Sequence, residues 1–245
     1  MRVKINIFKS EDEVLANLAA YFVTTVGRAI TDRGRCSVAL SGGTSPKKLY
    51  ELLSSPTFKN EVQWQKVDFF FGDERNVPQT DLNSNYLMVK KALFEPLQIA
   101  STQVFAVDTT LEPEMAAEHY ANTISNYCTG NPMRFDLVLL GLGDNSHTAS
   151  LFPHTPVLHD HTASVKAVFL EDQQVYRITL TAPLINQARQ VAFLVYGQGK
   201  AEAVHHVIED NRDIENFPAQ LIAPIDGELE WFIDEAAAAK LKKLP

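Results

Sequence analysis

The sequence predicts an α/β fold: a Rossmann-like, doubly wound sheet of mostly parallel strands. Three observations carry this. Short continuous apolar runs bounded by turn residues occur at 37–40, 67–71, 135–140 and 191–196, as expected of strands buried on both faces. Amphipathic helical patterns lie between them, at 46–53, 85–94, 113–127 and 200–208, and such alternation reads as a parallel sheet covered by helices. Three runs end in polar, Gly-containing turns, Ser41-Gly42-Gly43, Gly72 and Gly141. In an open α/β sheet the ligand lies outside the carboxyl ends of the strands, so topology alone brings these turns to one crevice.

Before the first of these runs, Ser10 and Glu13 form a capping box, and Val14, Leu15, Leu18, Ala19, Phe22, Val23 and Val26 follow at helical spacing, which predicts a long amphipathic first helix. The run 37–40 leads into Ser41-Gly42-Gly43-Thr44-Ser45-Pro46. Two glycines can take φ > 0, a Ser can cap, and Pro46 suits the first helical position. Such a turn aims free N–H groups and the positive end of a helix at an anion. It is not a Walker loop, because GxxxxGK[ST] is absent.

The run 67–71 exits into Gly72-Asp73-Glu74-Arg75. Arg75 can fork a phosphate or carboxylate, and the two acids can orient it or handle protons. The run 135–140 exits into Gly141-Leu142-Gly143-Asp144-Asn145-Ser146-His147. As a GxGxxG this is weak, since Ser146 holds the third glycine position. His147, where a helix is expected to start, is placed to act as a general base near neutral pH. After 191–196 come Gly197-Gln198-Gly199-Lys200, with Lys200 placed to reach an anion, and Arg177 is a further cation if its strand faces the crevice. His154, His159 and His161 lack metal-site spacing, so no metal is expected. His205 and His206 read as surface residues.

Composition excludes several other classes. The 245 residues carry 22 Lys+Arg against 30 Asp+Glu, a net charge of −8, and no Lys/Arg block marks a nucleic-acid or membrane partner. An anionic ligand would therefore need a local basic pocket, which screening beyond about 8 Å permits. No linker, low-complexity tract or repeat divides the chain, so 1–245 is read as one domain. Cys36 and Cys128 are far apart and in no metal spacing, which suits a reducing, cytoplasmic compartment. The first residues are too interrupted for a signal peptide, and no uninterrupted apolar run approaches the roughly 18 residues of a membrane span.

Taken in order, SGGTSPKKLYELL, FFGDERNVP, NSNY, FDLVLLGLGDNSHTASLFP and YGQGKA resemble the 6-phosphogluconolactonase family over about residues 37 to 201. The resemblance implies the glucosamine-6-phosphate deaminase type of α/β fold. It also implies hydrolysis of 6-phospho-D-glucono-1,5-lactone to 6-phosphogluconate, the second step of the oxidative pentose phosphate pathway, without a cofactor. By the same resemblance Gly42, Gly43 and Thr44 would hold the substrate phosphate, Arg75 and Lys200 would be its cations, and His147 would be the catalytic base. Arg177 matches an RIT segment as a further substrate contact.

The sequence departs from the family at Asn145-Ser146, where Asp-Gly is usual. Asn145 keeps a hydrogen-bonding oxygen but brings no charge, and Asp144 or Asp73 is the carboxylate left to substitute. Two alternatives stay open. A glucosamine-6-phosphate deaminase/isomerase shares the fold, but its segment resembles GHIAFNEP, and Phe152 stands here where that carboxylate would be. A sugar-phosphate sensor with weak turnover would keep the pocket and lose the chemistry.

Overall fold

A computed structural model describes residues 2–128 and 133–242. Its main sheet has six strands in the order β1-β9-β8-β5-β2-β3, all paired in parallel. These are β1 (Arg2–Phe8), β2 (Cys36–Leu40), β3 (Val67–Phe71), β5 (Leu137–Leu140), β8 (Gln190–Val195) and β9 (Glu228–Asp234). A separate three-stranded antiparallel sheet, β4-β7-β6, is formed by β4 (Asp73–Arg75), β6 (Val165–Leu170) and β7 (Val175–Leu180). The doubly wound parallel sheet is as expected; the antiparallel sheet and the strands β1 and β9 were not.

Strand periodicity divides the core in two. Val38, Leu40, Phe69, Phe71, Leu137 and Leu139 belong to one buried cluster, with α1 (Glu11–Arg33) and α2 (Thr44–Leu53). Ala39, Phe70, Val138 and Leu140 belong to the other, with α5 (Pro113–Tyr127), α7 (Ala201–Ile208) and the antiparallel sheet. Successive strand side chains point to opposite faces, so a run apolar at every position must be covered on both.

Local signals decide the helix ends. Ser10 accepts from the Glu13 N–H, but the Glu13 carboxylate reaches the Lys9 N–H rather than that of Ser10, so the capping box closes one residue early. Helix α1 ends at Gly34 in the left-handed region, φ 80°, as helix C-termini favour. By length and composition α1 could cross a membrane, yet eight of its side chains, including Val14, Leu18 and Phe22, are buried. The pattern at 85–94 becomes α3 (Asn85–Val89), a π-helical turn (Lys90–Phe94) and α4 (Glu95–Leu97). Of the remaining elements only α6 (Ala182–Ile185) is α-helical.

Two buried tyrosines finish the sheet where its strands run out. The Tyr50 hydroxyl accepts from the Ser41 N–H at 3.0 Å and donates to the Ser41 carbonyl at 2.8 Å. The Tyr120 hydroxyl does the same for Phe71, accepting at 2.7 Å and donating at 3.2 Å. One hydroxyl thus satisfies both main-chain groups of a buried residue, an obligation the ladder otherwise meets. Each stands just ahead of a loop that enters the site.

Candidate functional site

The carboxyl edge of the parallel sheet opens into a cavity of about 500 Å³. Gly42, Gly43, Thr44, Asp73, Arg75, His147, Arg177 and Lys200 all line it. Asn145 does not line it and acts instead through His147.

Gly43 caps α2 at φ 107° with no side-chain bond. The expected Ser cap is therefore absent, and Pro46 sits third in the helix rather than first. A glycine cap favours anion binding, because no side chain answers the first-turn N–H groups of Thr44 and Ser45, which lack intrahelical acceptors. Gly42 is needed for room: a Cβ there would lie 1.9 Å from the Asn85 Oδ1.

The acids do not orient Arg75 as expected. Buried Glu74 caps α3, accepting from the N–H groups of Asn85 and Tyr86 at 2.7 Å each and from the Ser84 hydroxyl. Burial pushes its carboxyl up despite those bonds. Asp73 accepts from the Ser150 hydroxyl at 2.6 Å and from the Asn85 amide at 3.2 Å. Sequence reasoning passed over Asn85 and Ser150, which lie in NSNY and HTAS but reach Asp73 only through tertiary contact.

Arg75 and Arg177 are directly opposed across β4 and β7. Arg75 donates to the Asn83 carbonyl at 2.6 Å and Arg177 to the Gln173 side chain at 2.7 Å. Each keeps a buried Nε with no acceptor. Burial first, then the neighbouring Arg75 charge, lowers the pKa of Arg177. Like charges facing each other across a ladder are unfavourable, and both arginines line the cavity, where guanidinium groups suit an anion. Lys200 precedes α7 and pairs with Asp144 at 2.6 Å.

No helix begins at His147. The segment from Gly141 to Pro153 is a loop closed on itself, with the Gly143 N–H bonded to the His147 carbonyl at 2.8 Å and the Ser146 N–H to the Gly143 carbonyl at 3.0 Å. Ser146 and Ala149 take positive φ, 62° and 48°, and such backbone strain tends to gather at functional sites. Ser146 thus adopts a left-handed conformation that a glycine would take at little cost. Asn145 accepts at Oδ1 from the His147 Nδ1 at 2.5 Å. An amide oxygen only accepts, so the neutral ring carries its proton on Nδ1 and its lone pair on Nε2. Asn145 therefore does the orienting, while Asp144 is committed to Lys200 and Asp73 acts on the ring through its charge alone.

Burial pushes the imidazole down to about 4. Asp73 and Asp144 oppose this, and Lys200 and Arg177 add to it. His147 is thus a neutral imidazole across the physiological range, rather than a group poised near pH 7.

The other histidines lie elsewhere. His154 and His159 both face Glu215, at 3.8 and 2.6 Å. His205 and His206, expected at the surface, are partly buried and paired with Glu209 and Asp210. Among the described residues no group of three or more His, Cys, Asp or Glu could hold a metal ion.

Parallel sheet, glycine-capped helix, paired arginines and oriented histidine define an α/β protein with a crevice that brings Arg75, Arg177 and Lys200 around one imidazole. Residues 9–231 match the model of the family described as glucosamine-6-phosphate isomerases/6-phosphogluconolactonase. The chain is 38% identical to the 6-phosphogluconolactonase of Synechocystis sp. over 94% of its own length and 95% of the relative's. It is 34% identical to that of Nostoc sp. over 98% and 99%. The solved 6-phosphogluconolactonase from Trypanosoma cruzi superposes with a TM-score of 0.86 at 29% identity, covering 99% of this chain and 98% of that one. The chain belongs to the glucosamine-6-phosphate isomerase/6-phosphogluconolactonase family.

Proposed function

We propose that this chain hydrolyses 6-phospho-D-glucono-1,5-lactone to 6-phosphogluconate, the second step of the oxidative pentose phosphate pathway, in the cytoplasm. The observation that carries the reading is a neutral His147 with its Nδ1 engaged by Asn145, in the same cavity as the opposed guanidinium groups of Arg75 and Arg177.

Gly42, Gly43 and Thr44 hold the phosphate through N–H and hydroxyl groups, with Arg75, Arg177 and Lys200 as its cations. His147 Nε2 takes a proton from water as the water oxygen attacks the lactone carbonyl. The tetrahedral intermediate collapses by breaking the bond to the ring oxygen, and the imidazolium returns the proton to that oxygen. Asp73 stabilises the transient imidazolium through space. The charge of a bound phosphate dianion also raises the proton affinity of a base that is weak in the empty site. Fixing the phosphate end orients the carbonyl, a contribution of up to several kcal/mol.

The deaminase reading is disfavoured by Phe152, which supplies no acid or base where that chemistry resembles one needing a carboxylate.

Proton release from freshly generated lactone, corrected for spontaneous hydrolysis, tests the proposal. Wild type should accelerate it, His147→Ala should lose most of the acceleration, and Arg75→Ala should lose it in a way that high substrate relieves. No acceleration by folded wild type would overturn the reading.

A further inference from the structure

Phe152 lines the cavity beside the proposed base. The ring of Phe152 lies on the imidazole of His147, centroids 3.9 Å apart and planes 18° from parallel. Gly143 supplies the space beside the imidazole, since a Cβ there would fall 2.0 Å from Nδ1 and 2.2 Å from Cε1. With Nδ1 tied to Asn145, the ring is fixed in plane, position and rotation. A stacked aromatic also occupies the place where water would otherwise solvate an imidazolium.

We propose that Phe152 is a positioning residue for His147: its ring holds the imidazole in one orientation and keeps water from its face. The inference deepens the lactonase reading, because it concerns the group read there as the base. The charged groups acting on His147 are of opposed sign, Asp73 and Asp144 against Lys200 and Arg177. Burial is the largest influence on the ring, and Phe152 is the cover that substitution can remove. Without that cover the imidazole is solvated and gains proton affinity, and it can tilt away from attacking water.

The test is an NMR titration of His147 in the full chain, assigned by its loss in His147→Gln, in wild type and in Phe152→Ala, Phe152→Leu and Phe152→Tyr. Lactone hydrolysis is followed against pH in parallel. The wild-type midpoint is expected near 4, with Phe152→Ala moving it up by about two units, towards the ordinary histidine value. The acid limb of kcat/KM, which reports the free enzyme, should shift the same way, and kcat at neutral pH should fall about tenfold, the cost of a misplaced base. Phe152→Tyr keeps the aromatic face and should restore both. Phe152→Leu covers without a flat ring, so it should restore the midpoint better than kcat. An unmoved midpoint in Phe152→Ala, or no recovery in Phe152→Tyr, overturns the proposal. If Phe152→Ala does not fold, the Leu and Tyr variants decide alone: equal midpoints and equal kcat overturn it. If wild type itself fails to accelerate hydrolysis, the lactonase reading falls while the midpoints still decide what Phe152 does.

Discussion

Replacing Tyr50 by Phe removes one oxygen atom and should disturb both the stability of the chain and its grip on phosphate. Tyr50 is completely buried, and Ser41 nearly so. The hydroxyl accepts from the Ser41 N–H and donates to its carbonyl, so Tyr50→Phe leaves both main-chain groups buried without partners. Each orphaned group costs about 1–3 kcal/mol, and a total of about 3 kcal/mol is expected in urea unfolding at neutral pH. Tyr176→Phe, at a more exposed ring of the antiparallel hairpin, is the control and should change stability by less than about 0.5 kcal/mol. Because Ser41 leads directly into Gly42, Gly43 and the start of α2, KM for the lactone should rise about tenfold, the equivalent of 1.4 kcal/mol of lost binding, with kcat within twofold. A urea midpoint indistinguishable from wild type would refute the reasoning. A loss of stability with KM unchanged would refute the part that links the hydroxyl to the loop.

Two further outcomes are expected. Ser146 sits at φ 62°, so Ser146→Gly should relieve left-handed strain and raise the unfolding free energy by about 1 kcal/mol, read from urea denaturation; a loss of stability would show that the Ser146 side chain contributes more than its backbone costs. The folded His147 titrates near 4 against about 6.5 unfolded, so the unfolded chain binds more protons between these values. Its contribution is fully present above about pH 6.5 and is lost as pH falls towards 4, by up to about 3 kcal/mol. Urea unfolding at pH 7.5 and 4.5 should show wild type losing about 2 kcal/mol more than His147→Gln, and equal losses would sink this.

Much of the frame was legible because a strand buried on both faces must be apolar at every position. Val67–Phe71 could be read as a strand from that property alone. The strand β1 escaped because its faces are not covered along its length: Arg2, Val3 and Lys4 are exposed, and the apolar run breaks, whereas β3, also at an edge, is buried throughout. The strand β4 is three charged or polar residues long and owes its pairing to β7, which no local pattern encodes. The residues at the site were readable as types at strand ends, yet their partners were not. Asp73 precedes Glu74 and Arg75 in sequence, but it is Ser150, far along the chain, that bonds its carboxylate. The expectation of a helix at His147 failed because the chain there turns back on Gly143 and passes through positive φ at Ser146 and Ala149, which a right-handed helix does not accommodate.

With the phosphate role proposed for them, the opposed arginines of β4 and β7 would make the stability of the folded chain depend on its ligand. Alone, the small sheet carries two like charges face to face. The substrate phosphate, held there as proposed, would remove the repulsion and tie the hairpin to the main sheet through the Gly42–Thr44 turn. Any ligand that binds only the folded state at one hundred times its Kd adds about 2.7 kcal/mol.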